Sequence, residues 1–185
     1  IKLKMKQYEL DAVLHKYTES TTRSMHILSS RFTNETWEEN QSYRMRYPNI
    51  QCVYGTPQPI TAKIDIHEVV CVVEMNNTTN KIVGIGMVRN TPYIQRLVIY
   101  NTNDFNQYVF VGKYRLERDE VPQDVVNALD YVLFKEKTHM KRGAGVTMIP
   151  EKLLRHERCN ETDIIGEIVA TFRKKYRDAT GSTNC

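Results

Sequence analysis

The chain has 185 residues, of which 41% are hydrophobic and 26% charged, with a formal net charge of +4. That length suits one domain with a real core, and the balance excludes a disordered chain. No apolar run reaches membrane-spanning length. The mild positive charge permits an acidic partner without requiring one.

Four cysteines, Cys52, Cys71, Cys159 and Cys185, form no Cys-x-x-Cys pair, and no two histidines stand at metal-ligand spacing. No zinc site or other cofactor is expected from this pattern, and the thiols read as reduced ones of a cytosolic or nuclear protein. Sequons at Asn34, Asn40, Asn77 and Asn160 read as chance in a chain that shows no signal peptide. Eleven tyrosines against five phenylalanines and one tryptophan suit surfaces that are half apolar and half wet, including sites where bases stack.

In chain order, residues 2–17 carry Leu3, Tyr8, Leu10, Val13 and Leu14 behind Lys2, Lys4 and Lys6, which predicts a helical arm with a basic end. Thr18 to Arg31 is Ser/Thr-rich and reads as a linker with a short helix. Residues 1–31 are thus an arm and linker, 32–178 a single domain, and 179–185 a flexible tail. Thr33 or Asn34 caps a helix to about Arg46, with acids early and Arg44 and Arg46 late, as the helix dipole favours. Pro48 ends it. Trp37 reads as a core anchor, the alternative being one wall of an aromatic pocket.

Gln51 to Tyr54 predicts a short strand. Ile60, Ala62, Ile64 and Ile66 alternate with polar residues, the period of a half-buried strand or extended segment. Val69 to Met75 predicts a central strand, Asn76 to Asn80 a turn, and Lys81 to Arg89 its antiparallel partner. Gly84 and Gly86 share one face of that partner, so something approaches the backbone closely there, either a packed helix or a flat ligand such as a base. Tyr93 to Tyr100 is a further strand candidate. Tyr108 to Arg118 reads as one long strand, bent at Gly112, with Phe110, Tyr114 and Leu116 on one face and Lys113 and Arg115 on the other. A helix from Pro122 to Phe134 has an apolar stripe of Val125, Leu129, Val132 and Leu133. Pro150 starts a short helix, and Asp163 to Tyr176 forms the last.

Between these helices lies the stretch that organises the functional reading. Lys135, Lys137, Lys141 and Arg142 surround His139, and Gly143 and Gly145 follow at once. Glycines accept positive φ, which lets consecutive amides converge on one anion, and cations beside such a turn make a phosphate site. The plainer alternative is a solvated charged loop at a helix C-terminus, where the dipole alone favours lysine. Catalytic readings fare worse. Asp65, His67, Glu68 and Glu74 near a strand resemble a metal-nuclease set, but no lysine follows Glu74 at short spacing. His139 has no nucleophile with an orienting acid beside it. Lys141-Arg-Gly-Ala-Gly lacks Walker spacing, and Gly84-Ile-Gly lacks the third glycine of a dinucleotide fingerprint.

Five segments together resemble uncharacterised proteins of large nucleocytoplasmic DNA viruses: Val53-Tyr-Gly-Thr-Pro57, Val73-Glu-Met-Asn-Asn77, Ile82 to Asn90, Tyr108 to Arg115, and His139 to Thr147. The resemblance covers about half the chain; it implies a viral origin and no activity. Weaker is a resemblance to PUA-like folds, including the YTH and EVE readers of modified bases, carried by the apolar strand, the polar turn and the return strand Lys81-Ile-Val-Gly-Ile-Gly-Met. It implies nucleic-acid binding around a small barrel, although Trp37 lies upstream of the hairpin and matches no cage position.

The expected fold is therefore α+β, a small antiparallel-leaning sheet or partly closed PUA-like barrel flanked by helices. The expected function is non-enzymatic binding of DNA or RNA, in the cytoplasm or nucleus of an infected cell. Lys135, Lys137, His139, Lys141, Arg142, Gly143 and Gly145 supply the phosphate site. Arg89, Tyr93, Arg96, Tyr108, Lys113, Tyr114 and Arg115 supply an adjoining surface. The alternative is a virion protein, such as a minor capsid component, whose arm and last helix contact other virion proteins. One continuous cationic patch joining the loop to the Tyr108–Arg115 strand favours the first reading; cations scattered over several faces, with an exposed apolar arm, favour the second.

Overall fold

The computed structural model describes residues 25–135, 137, 139–157, 159 and 162–178. The arm expected over residues 2–17 and the tail from 179 lie outside the described residues.

The most apolar run of the chain becomes its middle strand. β3 (Val69–Asn76) is buried along its whole length, as a strand covered on both faces must be. The turn after it is closed by the Asn76 side chain, which accepts from the Thr78 and Thr79 amides at 2.9 and 3.1 Å, and the chain returns as antiparallel β4 (Lys81–Arg89). On its other side β3 pairs in parallel with β1 (Ile27–Phe32). Parallel neighbours need a long connection. Here it holds α1 (Asn34–Arg46) and β2 (Cys52–Thr56). β6 (Tyr114–Glu117) extends the sheet beyond β4 and β7 (Val146–Met148) beyond β1, giving the order β6-β4-β3-β1-β7. β2 pairs separately with β5 (Tyr108–Gly112).

Each face of the central sheet has its own cover. Ile27, Cys71, Val73, Met75, Ile82, Ile85 and Leu116 pack against α2 (Gln123–Phe134) and α4 (Ile164–Asp178), through Val125, Leu129, Val132, Ile168 and Phe172. The short α3 (Glu151–Leu154) adds Leu153 to this side. Leu28, Val70, Val72 and Val88 pack the other way, on Val53, Tyr54, Phe110 and Tyr100. Ile82 and Ile85 share a face although three apart, because the register slips opposite Glu74 and Met75 and leaves Val83 without an opposite residue. Arg118 and Asp130 form an ion pair at 2.7 Å; Arg118 also donates to the Ile82 carbonyl and the Ile82 amide to Asp130, which ties β4 to α2.

The result is a mixed α+β fold whose central sheet has three antiparallel ladders and one parallel ladder. Among the described residues the pairing closes no barrel: β6 and β7 are edges of an open sheet. Several expectations need correcting. Ile27–Phe32 is not linker but a strand, and three of its residues, Ser29, Ser30 and Arg31, masked its apolar alternation. The segment 60–66 forms no strand; Asn90 donates to the Ile64 and Asp65 carbonyls and holds it as a turn, with Ile66 left exposed. Tyr93 to Tyr100 also joins no ladder. The long strand breaks at Lys113. Phe110 enters one core, while Tyr114 and Leu116 enter the other, so the expected single face does not exist.

Candidate nucleic-acid interface

The basic loop crosses the end of the β1–β3 pair, and the sheet holds it by its carbonyls. Arg31 projects from β1; its Nε donates to the Met140 carbonyl and its Nη2 to the Thr147 hydroxyl at 2.8 Å. A longer contact of 3.5 Å runs from Nη1 to the Gly145 carbonyl. From the turn that follows β3, Asn77 Nδ2 donates to the Lys141 carbonyl at 2.9 Å. The Met140 amide donates to Leu133 of α2, so the loop is fixed at its start as well.

The next amides, those of Arg142, Gly143 and Ala144, have no hydrogen-bond partner among the described residues. Gly143 and Gly145 both have positive φ, 107° and 73°. Gly145 is also forced to be glycine by space, since a Cβ there would overlap the Thr56 hydroxyl and lie 2.9 Å from its Cβ. Lys135, Lys137 and Arg142 are exposed, while His139 and Lys141 are half-buried. The Lys141 amide reaches His139 Nδ1 at 3.4 Å.

Arg31 lies beneath these groups, its guanidinium 3.8 Å from where a Cβ on Gly143 would sit. It has no ion pair with any described carboxylate, and burial pulls its pKa below the ordinary arginine value. An arginine stays charged all the same. A half-buried cation with only neutral acceptors around it is a favourable neighbour for an anion. Asn77 Oδ1, buried with no partner among the described residues, adds an unused acceptor. Beside Arg31 opens a narrow cleft of about 30 Å3 lined by Ser30, Thr36, Gly55, Tyr100, Phe105 and Gly145.

The adjoining surface expected of the strands does not assemble as one patch. Tyr108 faces Thr56 in the ladder and so lies at the loop's end of β5. Lys113 is beyond the other end of β5, and Arg89 is at the far end of β4, where it donates to the His67 carbonyl at 3.0 Å. Tyr93 and Arg96 line a groove of about 290 Å3 with Gln95, Leu97, Asn103, Gln107 and Val109. Tyr114 is buried, its ring against Tyr176 at 4.9 Å.

Arg115 belongs to the interior. It donates to Glu74 through Nε and Nη2, at 3.0 and 2.7 Å, and pairs with Glu117 through Nη1. Tyr54 donates its hydroxyl to the same Glu74 at 2.8 Å. Burial pulls the Arg115 pKa down, but the Glu74 charge and hydrogen bonds outweigh it and the net shift is upward. The glycines of β4 explain how this network fits. A Cβ on Gly86 would overlap the Tyr54 hydroxyl, and one on Gly84 would lie 2.6 Å from Glu74 Oε2. The close approach expected at these glycines is therefore made by the protein's own buried polar groups. Trp37 covers the pair from α1, its ring 5.5 Å from Arg115, 5.2 Å from Arg44 and 5.1 Å from Phe32.

Glu74 is thus committed to Arg115, and no group of three or more acidic, His or Cys side chains among the described residues is arranged to hold a metal ion. Asn40, one of the sequon residues, is buried and donates to the Val53 carbonyl and Tyr100 hydroxyl. No described helix is long and apolar enough to cross a membrane. No family model, curated protein or solved structure matches the chain. Sequence reasoning missed Arg31 and Asn77. A lone arginine in a Ser/Thr-rich stretch carries no local signal, and only the parallel pairing of β1 with β3 sets the two beneath the loop.

Proposed function

We propose that the chain is a non-enzymatic nucleic-acid-binding module that takes a backbone phosphate on the loop 139–145. The observation that carries this reading is Arg31: a half-buried cation with no ion pair to any described carboxylate, directly under a glycine turn whose amides at 142–144 have no partner among the described residues. Amides in a turn of this kind, with a cation behind and Lys141 and Arg142 beside, match the needs of a phosphate group. The resemblance to proteins of large DNA viruses sets the proposed context, an infected cell.

At the level of fold, the proposal extends to a PUA-like arrangement. β5 runs through Lys113 into β6 and so links the two sheets on one side. On the other, Gly145 against Thr56 brings the approach to β7 close to β2.

A second reading, an assembly protein of the virion, is favoured by a separate observation. The strand cations Arg89 and Lys113 do not join the loop in one patch, and Ile94, Met45 and Ile66 are 99%, 75% and 74% exposed.

Fluorescence anisotropy with short single- and double-stranded DNA and RNA at two salt concentrations tests the first reading, with Lys141→Ala/Arg142→Ala beside the parent. Each phosphate contact contributes about 0.7 to 0.9 to the slope of log affinity against log salt, so the double variant should flatten it by about 1.4 to 1.8. Absence of binding at low salt overturns the reading and moves it to assembly.

A further inference from the structure

The groove lined by Tyr93, Arg96 and Gln107 lies outside the loop, yet it flanks the same short 3-10 turn, Asn103–Asn106. One side of this turn presents Phe105 to the cleft at Gly145; the other presents Asn103 and Asn106 to the groove. The turn is rigid where it matters. Asn106 accepts from the Ile99 and Tyr100 amides at 2.8 and 3.0 Å and donates to the Tyr100 carbonyl at 2.7 Å. The groove's far wall is held by the Tyr93 amide, which donates to the Val109 carbonyl at 2.7 Å.

Its chemistry is specific. Arg96 is oriented by Asn103, whose Oδ1 accepts from Nη2 at 2.7 Å, and this uses one of the guanidinium's five N–H donors. The amide groups of Gln95 and Gln107 have no hydrogen-bond partner among the described residues. Leu97 and Val109 supply apolar lining, and no described carboxylate lines the groove. Side-chain amides offer a donor and an acceptor side by side, the pattern that matches a base edge. A tyrosine ring offers a stacking face. The volume of about 290 Å3 is at the lower end of small-ligand sites.

We infer that this groove holds one nucleotide unit, with its phosphate on Arg96 and its base between the Tyr93 ring and the amides of Gln95 and Gln107. The inference rests on the nucleic-acid reading of the loop, since a strand crossing the loop passes the cleft and reaches the groove around a single turn of chain.

The test is a 15N NMR titration of the whole chain with each nucleoside 5′-monophosphate, with ribose 5-phosphate and inorganic phosphate as controls. Two double variants, Arg96→Ala/Gln107→Ala and Lys141→Ala/Arg142→Ala, are measured alongside, with circular dichroism as the check on folding. The monophosphates should shift Tyr93, Arg96 and Gln107, and the groove variant should weaken them by about tenfold, the worth of one bidentate contact. The loop variant should leave these shifts intact. Monophosphate binding at the groove with no polymer binding by the parent chain removes the loop reading but supports the groove. The inference is overturned if the groove residues do not shift. It is equally overturned if ribose 5-phosphate or inorganic phosphate shifts them with the same affinity, because the base then contributes nothing.

Discussion

Replacing Arg115 by methionine should cost this fold about 3 to 5 kcal/mol, the range for removing one partner of a buried ion pair. The geometry puts it in that range rather than at the small value of a surface pair. The Arg115 and Glu74 side chains are 3% and 1% exposed, and their contacts are bidentate. Without the cation, Glu74 keeps the Tyr54 hydroxyl as a donor and has no counter-charge. A domain of this kind is stable by about 5 to 15 kcal/mol, so the loss is a large share of the total. With a urea m-value of about 2 kcal/mol/M, the unfolding midpoint should fall by about 2 M. Trp37, whose ring lies 5.5 Å from Arg115, reports the transition by fluorescence; far-UV circular dichroism reports it independently. The double variant Glu74→Leu/Arg115→Met removes both charges and should recover most of the loss, because apolar side chains of similar volume fill the site without burying a charge. The reasoning fails if Arg115→Met costs under 1 kcal/mol, or if the double variant is no more stable than the single one.

Gly86→Ala should destabilise by about 1 to 3 kcal/mol through overpacking against Tyr54 and Cys52, and Tyr54→Phe in the same chain should return part of it by removing the clashing hydroxyl; thermal denaturation of the two variants checks this. Cys52, whose pKa burial pushes up to about 12, and Cys71, pushed up further by the same cause, should be silent to a thiol reagent at pH 8 in folded protein and react on unfolding, with Cys185 replaced by serine to remove the tail thiol. Glu117 is held below its ordinary 4.5: burial alone would raise it, but the hydrogen bond and charge of Arg115 prevail. A depressed carboxyl stabilises the fold above its unfolded pKa and loses that contribution as pH falls through the folded value. Stability followed by urea titration should therefore decline below about pH 4.5, and less steeply in Glu117→Gln.

The middle of the fold was legible because its signals are local. An uninterrupted apolar run, an Asn-rich turn and a returning strand define β3 and β4, and periodic apolar residues define α2 and α4. What escaped was set by non-local pairing. β1 reads Ile-Leu-Ser-Ser-Arg-Phe, too polar for a buried strand until Ser29 finds Thr147 on β7 and Arg31 finds the loop carbonyls. The segment 108–117 keeps strand character throughout, but nothing local says that Lys113 carries it from one sheet to another and exchanges its faces. For the same reason Arg115, two residues from an exposed-looking lysine, reads as surface charge. Its burial depends on Glu74, forty-one positions away, and on glycines that leave room for both.

The chain therefore keeps two kinds of positive charge, and they do different work. Arg115 and Arg118 are matched to Glu74, Glu117 and Asp130 and lock strands to each other and to a helix. Arg31 is matched to carbonyls and a hydroxyl, which orient it without neutralising it. A fold that needed only to anchor a loop could do so with a neutral donor, as Asn77 does one strand away at Lys141. Retaining a guanidinium there, beneath Gly143 in the loop that carries Lys141 and Arg142, leaves a cation that an incoming anion would neutralise. Net charge alone cannot separate these two populations. Which cations have acids beside them does separate them, and that is why we propose the loop rather than the strand surface as the part that meets a phosphate.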